Sequence, residues 1–352
     1  MAAQARSSGD TRAPERTRAG ECQPDSVGDM IVAVSVDMEG ASQLRGVREI
    51  WGCLPEYWET GKPRLEADVF AACQGLLAGG ASELVVLDNH GGNTVNVSAE
   101  ALPAGARLEG WRDFDLRDHE VDAMFQVGYH PRGGVEGFLS HTYLPGLRLR
   151  VDGELISESH GRAWASGVPL VGITGNDLHQ QTIGSLSDTP YLVVQKSLGR
   201  SAMQPLWNVE EGLDAIREFA ERCMRDAASA PPIRSPRDGT FEASMPNGHE
   251  VVDQMEAAGW ARTGDVTFEV HFERWSDTRE LLAAAMSAAL APFVPYWLGG
   301  FDSAEDAAAA DQERVAQLRL IFDAWAQESQ PQWWEERADP LPPDVAQALA
   351  AR

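Results

Sequence analysis

The stretch Met30-Ile-Val-Ala-Val-Ser-Val-Asp-Met-Glu-Gly40 decides how the rest of the chain is read. It opens as an apolar, β-branched run too short for an ordinary helix, the pattern of a strand buried on both faces. It closes on two carboxylates, Asp37 and Glu39. Side chains alternate along a strand, so residues two apart point the same way. If the strand stays extended, Asp37 and Glu39 point together into the space beyond the sheet. In open α/β sheets that space is where ligands bind. Two carboxylates held side by side repel, and a bound cation is the usual way to keep both ionised. A pair of solvated loop acids explains an isolated Asp-x-Glu equally well, so the later strands must decide.

Outward from this strand, Pro63 suits a first helical turn, and Leu65, Val69, Ala72, Leu76 and Leu77 follow at helical spacing. Gly79-Gly80 ends that helix. Glu83-Leu-Val-Val-Leu87 is a second buried strand and runs into Asp88-Asn-His90. Strand, helix, strand is a βαβ unit, which implies a parallel sheet and puts His90 at the edge where Asp37 and Glu39 lie. Ala106 to Trp111 reads as a weaker strand, and Asp122 to Gly128 as another that ends in Tyr129-His130. A Gly-rich loop then leads to His141. Asp152-Gly153, between Leu147–Val151 and Leu155-Ile156, predicts a hairpin. Ser157 reads as an N-cap, placing Glu158 in the first turn of a helix through Ala165.

Val168–Thr174 and Tyr191–Val194 are further strands, and Val209 to Ala227 is a long amphipathic helix. The prediction is an α/β fold, a mostly parallel sheet with flanking helices plus a smaller C-terminal α+β subdomain. The Pro-rich Ala230–Pro236 marks its boundary; beyond it lie a half-buried strand at Val266–Phe272 and an Ala-rich helix at Asp277–Leu290. Four segments result: a disordered polar arm at 1–29, a metal-binding catalytic domain at 30–230, the α+β subdomain at 231–295 and an acidic, Trp-rich extension at 296–352. A helix is expected within Asp306–Ala326, and Trp51, Tyr57 and Trp58 are expected to pack rather than form a substrate platform.

The chain carries 54 acidic against 29 basic residues, a formal net charge of -25 over 352 residues. That balance disfavours nucleic acid or an anionic membrane as partner. No apolar run approaches the roughly 20 residues needed to span a bilayer. The four cysteines, Cys22, Cys53, Cys73 and Cys223, are far apart, which suits neither a disulfide framework nor a thiolate zinc site. A reduced, cytoplasmic compartment is the expectation.

The candidate site is therefore Asp37, Glu39, His90, His130 and Glu158, with His141 beside them. Imidazole nitrogen and carboxylate oxygen without thiolate suit zinc or another first-row ion. Five such ligands exceed what one catalytic zinc needs, whereas a carboxylate can bridge two metals roughly 3.5–4 Å apart. Asp37, at the end of a central strand, is the expected bridge. There is no His-Glu-x-x-His, Gly-x-Ser-x-Gly, Walker A or Gly-x-Gly-x-x-Gly motif to suggest the commoner hydrolase and nucleotide chemistries.

At this point the chain resembles the M55 metallopeptidases, the zinc D-aminopeptidases of the bacterial dipeptide-transport type. Ser35-Val-Asp-Met-Glu-Gly40, Asp88-Asn-His90, Gly128-Tyr-His130, Leu139-Ser-His-Thr142 and the Glu158 helix carry the resemblance, with Gly175-Asn-Asp177 and Gly199-Arg-Ser-Ala202. It covers about residues 30–295. It implies Asp37, Glu39, His90, His130 and Glu158 as ligands of a dinuclear zinc site and His141 as the catalytic residue. It also implies hydrolysis of short peptides or amides at a free, D-configured N-terminus, and a ring-like homo-oligomer with a decamer among its sizes. His160 and Arg162 depart from the apolar or small residues expected in the Glu158 helix. Asn89-His-Gly-Gly-Asn93 is also similar to a segment of creatininase-type amidohydrolases, so a metal-dependent cyclic amidohydrolase is the second reading. A catalytically silent, metal-stabilised scaffold is the third.

Overall fold

The computed structural model describes residues 30–91, 94–109, 121–291 and 300–327. The 1–29 arm, Gly92-Asn93, Trp111, Trp297, Trp333 and Trp334 lie outside them. The opening run forms β1 (Ile31–Val36), followed by α1 (Lys62–Ala78), β2 (Glu83–Asp88), β3 (Ala106–Glu109) and β4 (Ala123–Tyr129). Next come β5 (Arg148–Val151), β6 (Glu154–Leu155), α2 (Glu158–Ser166), β7 (Leu170–Asn176), α3 (Asp177–Thr182), β8 (Tyr191–Ser197), β9 (Met203–Pro205) and α4 (Val209–Arg225). The remainder is β10 (Arg237–Ser244), α5 (Val252–Ala257), β11 (Ala261–Arg262), β12 (Thr267–Arg274), α6 (Arg279–Leu290), α7 (Ala304–Ala309) and α8 (Gln312–Gln327).

Seven strands form one sheet in the order β3-β2-β1-β4-β7-β8-β9, parallel except for β9. The continuous apolar runs follow from burial on both faces. Val32, Val34, Val36, Leu84 and Val86 face α1 and α4, against Leu65, Val69, Leu76, Ile216 and Phe219. Ala33, Val85, Leu87 and Met124 face the other way, where with Ile173 of β7 they cluster with Ala163 of α2. The chain builds outward from β1 through β2 to β3, then returns to place β4 on the other side of β1. The reversal between β1 and β4 opens a crevice at their carboxyl ends, the usual ligand position in open α/β sheets.

A second, antiparallel sheet has the order β11-β12-β10-β5-β6. Leu149, Phe241 and Phe268 of this sheet pack with Trp275, Leu282 and Ala285. Two of its strands, the β5–β6 hairpin, come from before residue 231, so the smaller unit draws chain from both sides of the Pro-rich break. Helix α2 lies between the sheets, with Ala163 in the core of one and Trp164 in the core of the other.

Some local expectations shift. β10 is a central strand that its sequence conceals, because Asp238-Gly239 has the look of a turn, and Asp238 does adopt a positive φ of 54°. The C-terminal helix is two helices: Ala310 turns extended, and Asp311 then accepts from the Glu313 N–H at 3.0 Å as a new start. Trp51, Tyr57 and Trp58 do pack on the main core. Among the described residues, no helix is long and apolar enough to cross a membrane.

Candidate metal centre

β1 ends at Val36, and the backbone then turns through Asp37-Met-Glu-Gly40. Asp37 still pairs with β4 through its N–H to the Val127 carbonyl at 2.8 Å, and Gly40 N–H reaches the Gly128 carbonyl at 2.8 Å. The turn lies so close to β4 that a Cβ on Gly40 would sit 2.0 Å from the Tyr129 carbonyl oxygen. Conversely, Gly128 has φ +76°, and its Cβ would sit 2.0 Å from the Asp37 carbonyl oxygen. These two glycines let the Asp37 turn and the His130 end of β4 meet.

All six expected side chains converge there, and each is at least nine-tenths buried. His90 Nδ1 lies 3.4 Å from Asp37 Oδ1 and 3.1 Å from Glu39 Oε2. His130 Nε2 lies 3.3 Å from Asp37 Oδ2 and 3.9 Å from Glu158 Oε1. His141 Nε2 lies 3.9 Å from Glu39 Oε1 and 3.8 Å from Glu158 Oε1. Three sets of donor atoms are close enough to share an ion: Asp37, Glu39 and His90; Asp37, His130 and Glu158; and Glu39, His130 and His141. Asp37 belongs to the first two sets, one oxygen toward His90 and the other toward His130.

The tautomers sharpen this picture. A backbone carbonyl only accepts, so the ring nitrogen beside it carries a hydrogen. His130 Nδ1 donates to the Pro131 carbonyl at 2.9 Å, and His141 Nδ1 to the Leu139 carbonyl at 2.6 Å. His90 Nε2 donates to the Ile50 carbonyl at 3.2 Å. In each ring the other nitrogen faces carboxylate oxygen. An outer N–H on a backbone carbonyl is how metal-binding histidines are usually oriented. Asp37 Oδ2 and His130 Nε2 are buried without a hydrogen-bond partner although they face each other. Buried polar atoms left without partners are costly, and a cation between these two would satisfy both. The donor set therefore fits metal ions of the zinc class.

Protons answer the same electrostatic demand. Burial alone would lower the His90 and His130 pKa values, but the surrounding carboxylates outweigh it. His90 rises well above the ordinary imidazole value, and His130 is pushed up to about 10. Burial works against ionised Asp37, yet His130 and His90 hold its pKa well below the carboxylate range. Burial and the Asp37 charge push Glu158 up to about 7. Burial, then the His130 charge, press His141 down to about 4.

Residues that sequence reasoning passed over hold the site in place. Gln195, just after the apolar half of β8, donates to the Glu39 carbonyl at 2.7 Å. Asn96 donates to the His90 carbonyl at 2.7 Å and to Asp88 at 2.9 Å, and accepts from the Tyr57 hydroxyl. The Tyr143 N–H donates to Glu158. His160 closes a capping box, since its Nδ1 accepts the Ser157 N–H at 3.1 Å at the start of α2. That gives His160 a structural reason. Gln195 follows the apolar run Tyr191–Val194 and opens a polar Gln-Lys-Ser end, so neither it nor Tyr143 stood out in the sequence.

A family model for the M55 peptidases, described as D-aminopeptidase, matches residues 30–284. The chain belongs to the M55 peptidase family. An M55 chain is a metal-dependent aminopeptidase, a hydrolase, which sets aside the creatininase-type reading that rested on Asn89–Asn93. Among solved structures, the M55 chain is similar to the Zn-dependent D-aminopeptidase DppA from Bacillus subtilis, described as a self-compartmentalizing protease. The TM-score is 0.66 at 21% identity, over 74% of this chain and 98% of that one, a likeness of fold. No curated protein matches the chain.

Proposed function

We propose that this M55 chain is a dinuclear zinc aminopeptidase acting on short peptides or amides with a free N-terminal D-residue. The observation that carries the reading is that Asp37 is shared between two donor sets, with Glu39 and His90 on one side and His130 and Glu158 on the other. In this reading those five residues would hold the ions, with Asp37 offering an oxygen to each donor set. Bound zinc would supply Lewis acidity, polarising the scissile carbonyl and acidifying water.

The chain's own groups do the rest. His130 and His90 are locked by their carbonyl partners, so Nε2 and Nδ1 respectively stay aimed inward. His141 is the most exposed of the six, at 9%. Its Nδ1–H is held by Leu139, which leaves Nε2 toward the carboxylates as the atom that takes a proton from water and returns it to the leaving amine. Burial excludes bulk water and strengthens every charge interaction in the site. The M55 description supports D-selectivity, and the description of DppA as self-compartmentalizing supports a ring-like homo-oligomer, with a decamer as the size to test.

The deciding experiment combines metal analysis with product analysis on matched D- and L-dipeptides. The expected result is up to two zinc ions per chain, cleavage of the D-series and loss of turnover with a chelator. Metal-free protein whose activity ignores chelator would overturn the metal reading, and equal rates on both series would overturn the stereochemical one.

A further inference from the structure

We propose that the cavity between α2 and the second sheet binds a small carboxylate with an apolar or aromatic body. The cavity measures ≈ 370 Å³. That is the small end of the range of about 300–1,000 Å³ typical of ligand pockets, and suits an amino acid or dipeptide derivative. Four arginines line it: Arg162 on α2, Arg237 at the start of β10, Arg274 at the end of β12 and Arg279 on α6. Its described lining contains no Asp or Glu, in a chain where acids outnumber bases 54 to 29. Chance placement on so acidic a protein does not readily gather four guanidiniums around one hollow.

The backbone supplies an independent sign. Arg237 and Arg274 are direct partners in the β10–β12 ladder. Like charges directly opposite each other destabilise a sheet. Asp277 pairs with Arg274 at 3.1 Å and relieves part of this. An anion held between the strands would offset this like-charge pair further. Arg162 forms the inner wall, only 8% exposed, with its guanidinium 5.8 Å from the Tyr143 ring. The rest of the wall is mainly apolar, including Trp164, Trp275, Leu282 and Met286. Guanidinium binds carboxylate through paired, planar hydrogen bonds. A purely apolar ligand would leave the guanidiniums unused, and a polyphosphate would leave the indoles and Met286 unused.

Tyr143 joins this cavity to the metal centre: it lines the cavity and its N–H donates to Glu158. The carboxylate could therefore belong to the far end of a peptide held at the metals or to a separate small ligand. The first source rests on the aminopeptidase reading; the binding itself does not.

The probe is 3-phenylpropionate, with 3-phenylpropanol as the uncharged control, titrated calorimetrically into the zinc-loaded full chain. Saturable 1:1 binding of the acid and not the alcohol is expected. Arg237→Gln/Arg279→Gln, at two exposed rim positions, should weaken it about tenfold or more, the size of a charged hydrogen bond. The circular dichroism and metal content of this variant should stay unchanged. Arg162→Lys, which keeps the charge but loses the planar fork, should weaken binding too. Asp37→Asn should leave it intact, which separates this site from carboxylate binding at zinc. Failure of the wild type to bind, binding unchanged in the double variant, or loss in Asp37→Asn alone would overturn the proposal. Kinetics then name the source. A rise in KM for a dipeptide but not for the matching amino-acid amide assigns the substrate's own carboxylate; unchanged KM for both assigns a separate ligand. Inactivity of the wild type on every peptide would sink the aminopeptidase reading and leave the binding result standing.

Discussion

His130 and His141 lie face to face, ring centroids 4.0 Å apart and 8° from parallel, yet their environments push them in opposite directions. Carboxylates outweigh burial at His130 and raise it to about 10, while burial and the charge of His130 lower His141 to about 4. Under the proposed function these stacked partners would do different work. His130→Ala should lose metal, because it removes an inward-facing nitrogen. His141→Ala should retain metal but lose turnover by about 10²–10⁴-fold, the range for a positioned proton-transfer group. Elemental analysis beside kcat separates them, and an emptied site in His141→Ala would show that His141 is itself a ligand.

Asp37 and Glu39 test the shared-carboxylate reading. Asp37→Asn keeps the shape but lowers the charge between the two donor sets, so at least one ion and most activity should go. Glu39→Gln should cost one ion more selectively. Metal should stabilise the wild type by about 3–4 kcal/mol when free ion exceeds Kd several-hundred- to a thousandfold. Binding should also release protons, because His90 and His130 must be neutral to coordinate. Thermal melts with and without chelator, and calorimetry in buffers of different ionisation enthalpy, measure both. Coincident melting curves would argue against this site.

Gly40 tests the close approach of the Asp37 turn to β4. A Cβ there would sit 2.0 Å from the Tyr129 carbonyl oxygen, backbone that cannot swing aside. Gly40→Ala should cost about 1–3 kcal/mol of stability, the usual penalty of overpacking. It should also weaken metal affinity by separating Asp37 from His130. An alanine variant with wild-type melting temperature and metal content would refute this account.

Asp68 gives a pH signature away from the ions. It is buried on α1 and accepts from the Ser42 N–H and hydroxyl, both at 2.6 Å, three residues past Glu39. Burial raises its pKa to about 6, against the pull of those hydrogen bonds. A raised folded pKa means stability present at pH 4 and lost as pH rises through about 6. The loss is at most about 3 kcal/mol, at 1.36 kcal/mol per unit. Asp68→Asn should flatten the stability profile between pH 4 and 6. It should also cost about 1–3 kcal/mol overall, because an amide cannot accept both Ser42 hydrogens. Denaturant melts at saturating metal across that range read the difference, and parallel profiles for both proteins would refute it.

Much of the fold was legible because burial leaves a periodic trace. The β1 and β2 runs, the helix after Pro63, the Asp152-Gly153 hairpin and the Ser157 cap announce themselves through apolar spacing or turn chemistry. β10 did not, because an Asp-Gly pair at its start mimics a turn while the strand continues through it. The second sheet was under-read for a related reason: β5 and β6 look like a local hairpin, and only pairing with β10, about 90 residues later, makes them part of a larger sheet.

Sequence by itself determined the donor types, their order along the chain and their position after successive parallel strands, because side-chain chemistry and strand periodicity are local properties. Tertiary structure decided which oxygen faces which imidazole, which nitrogen each ring turns inward, and that Asp37 stands between two donor sets. Those facts depend on carbonyls at Ile50, Pro131 and Leu139 and on two glycines that let separate loops meet. Contacts between residues distant in the chain leave no periodic mark on it, so the arginine-lined cavity built from α2, β10, β12 and α6 came into view only once the chain was folded.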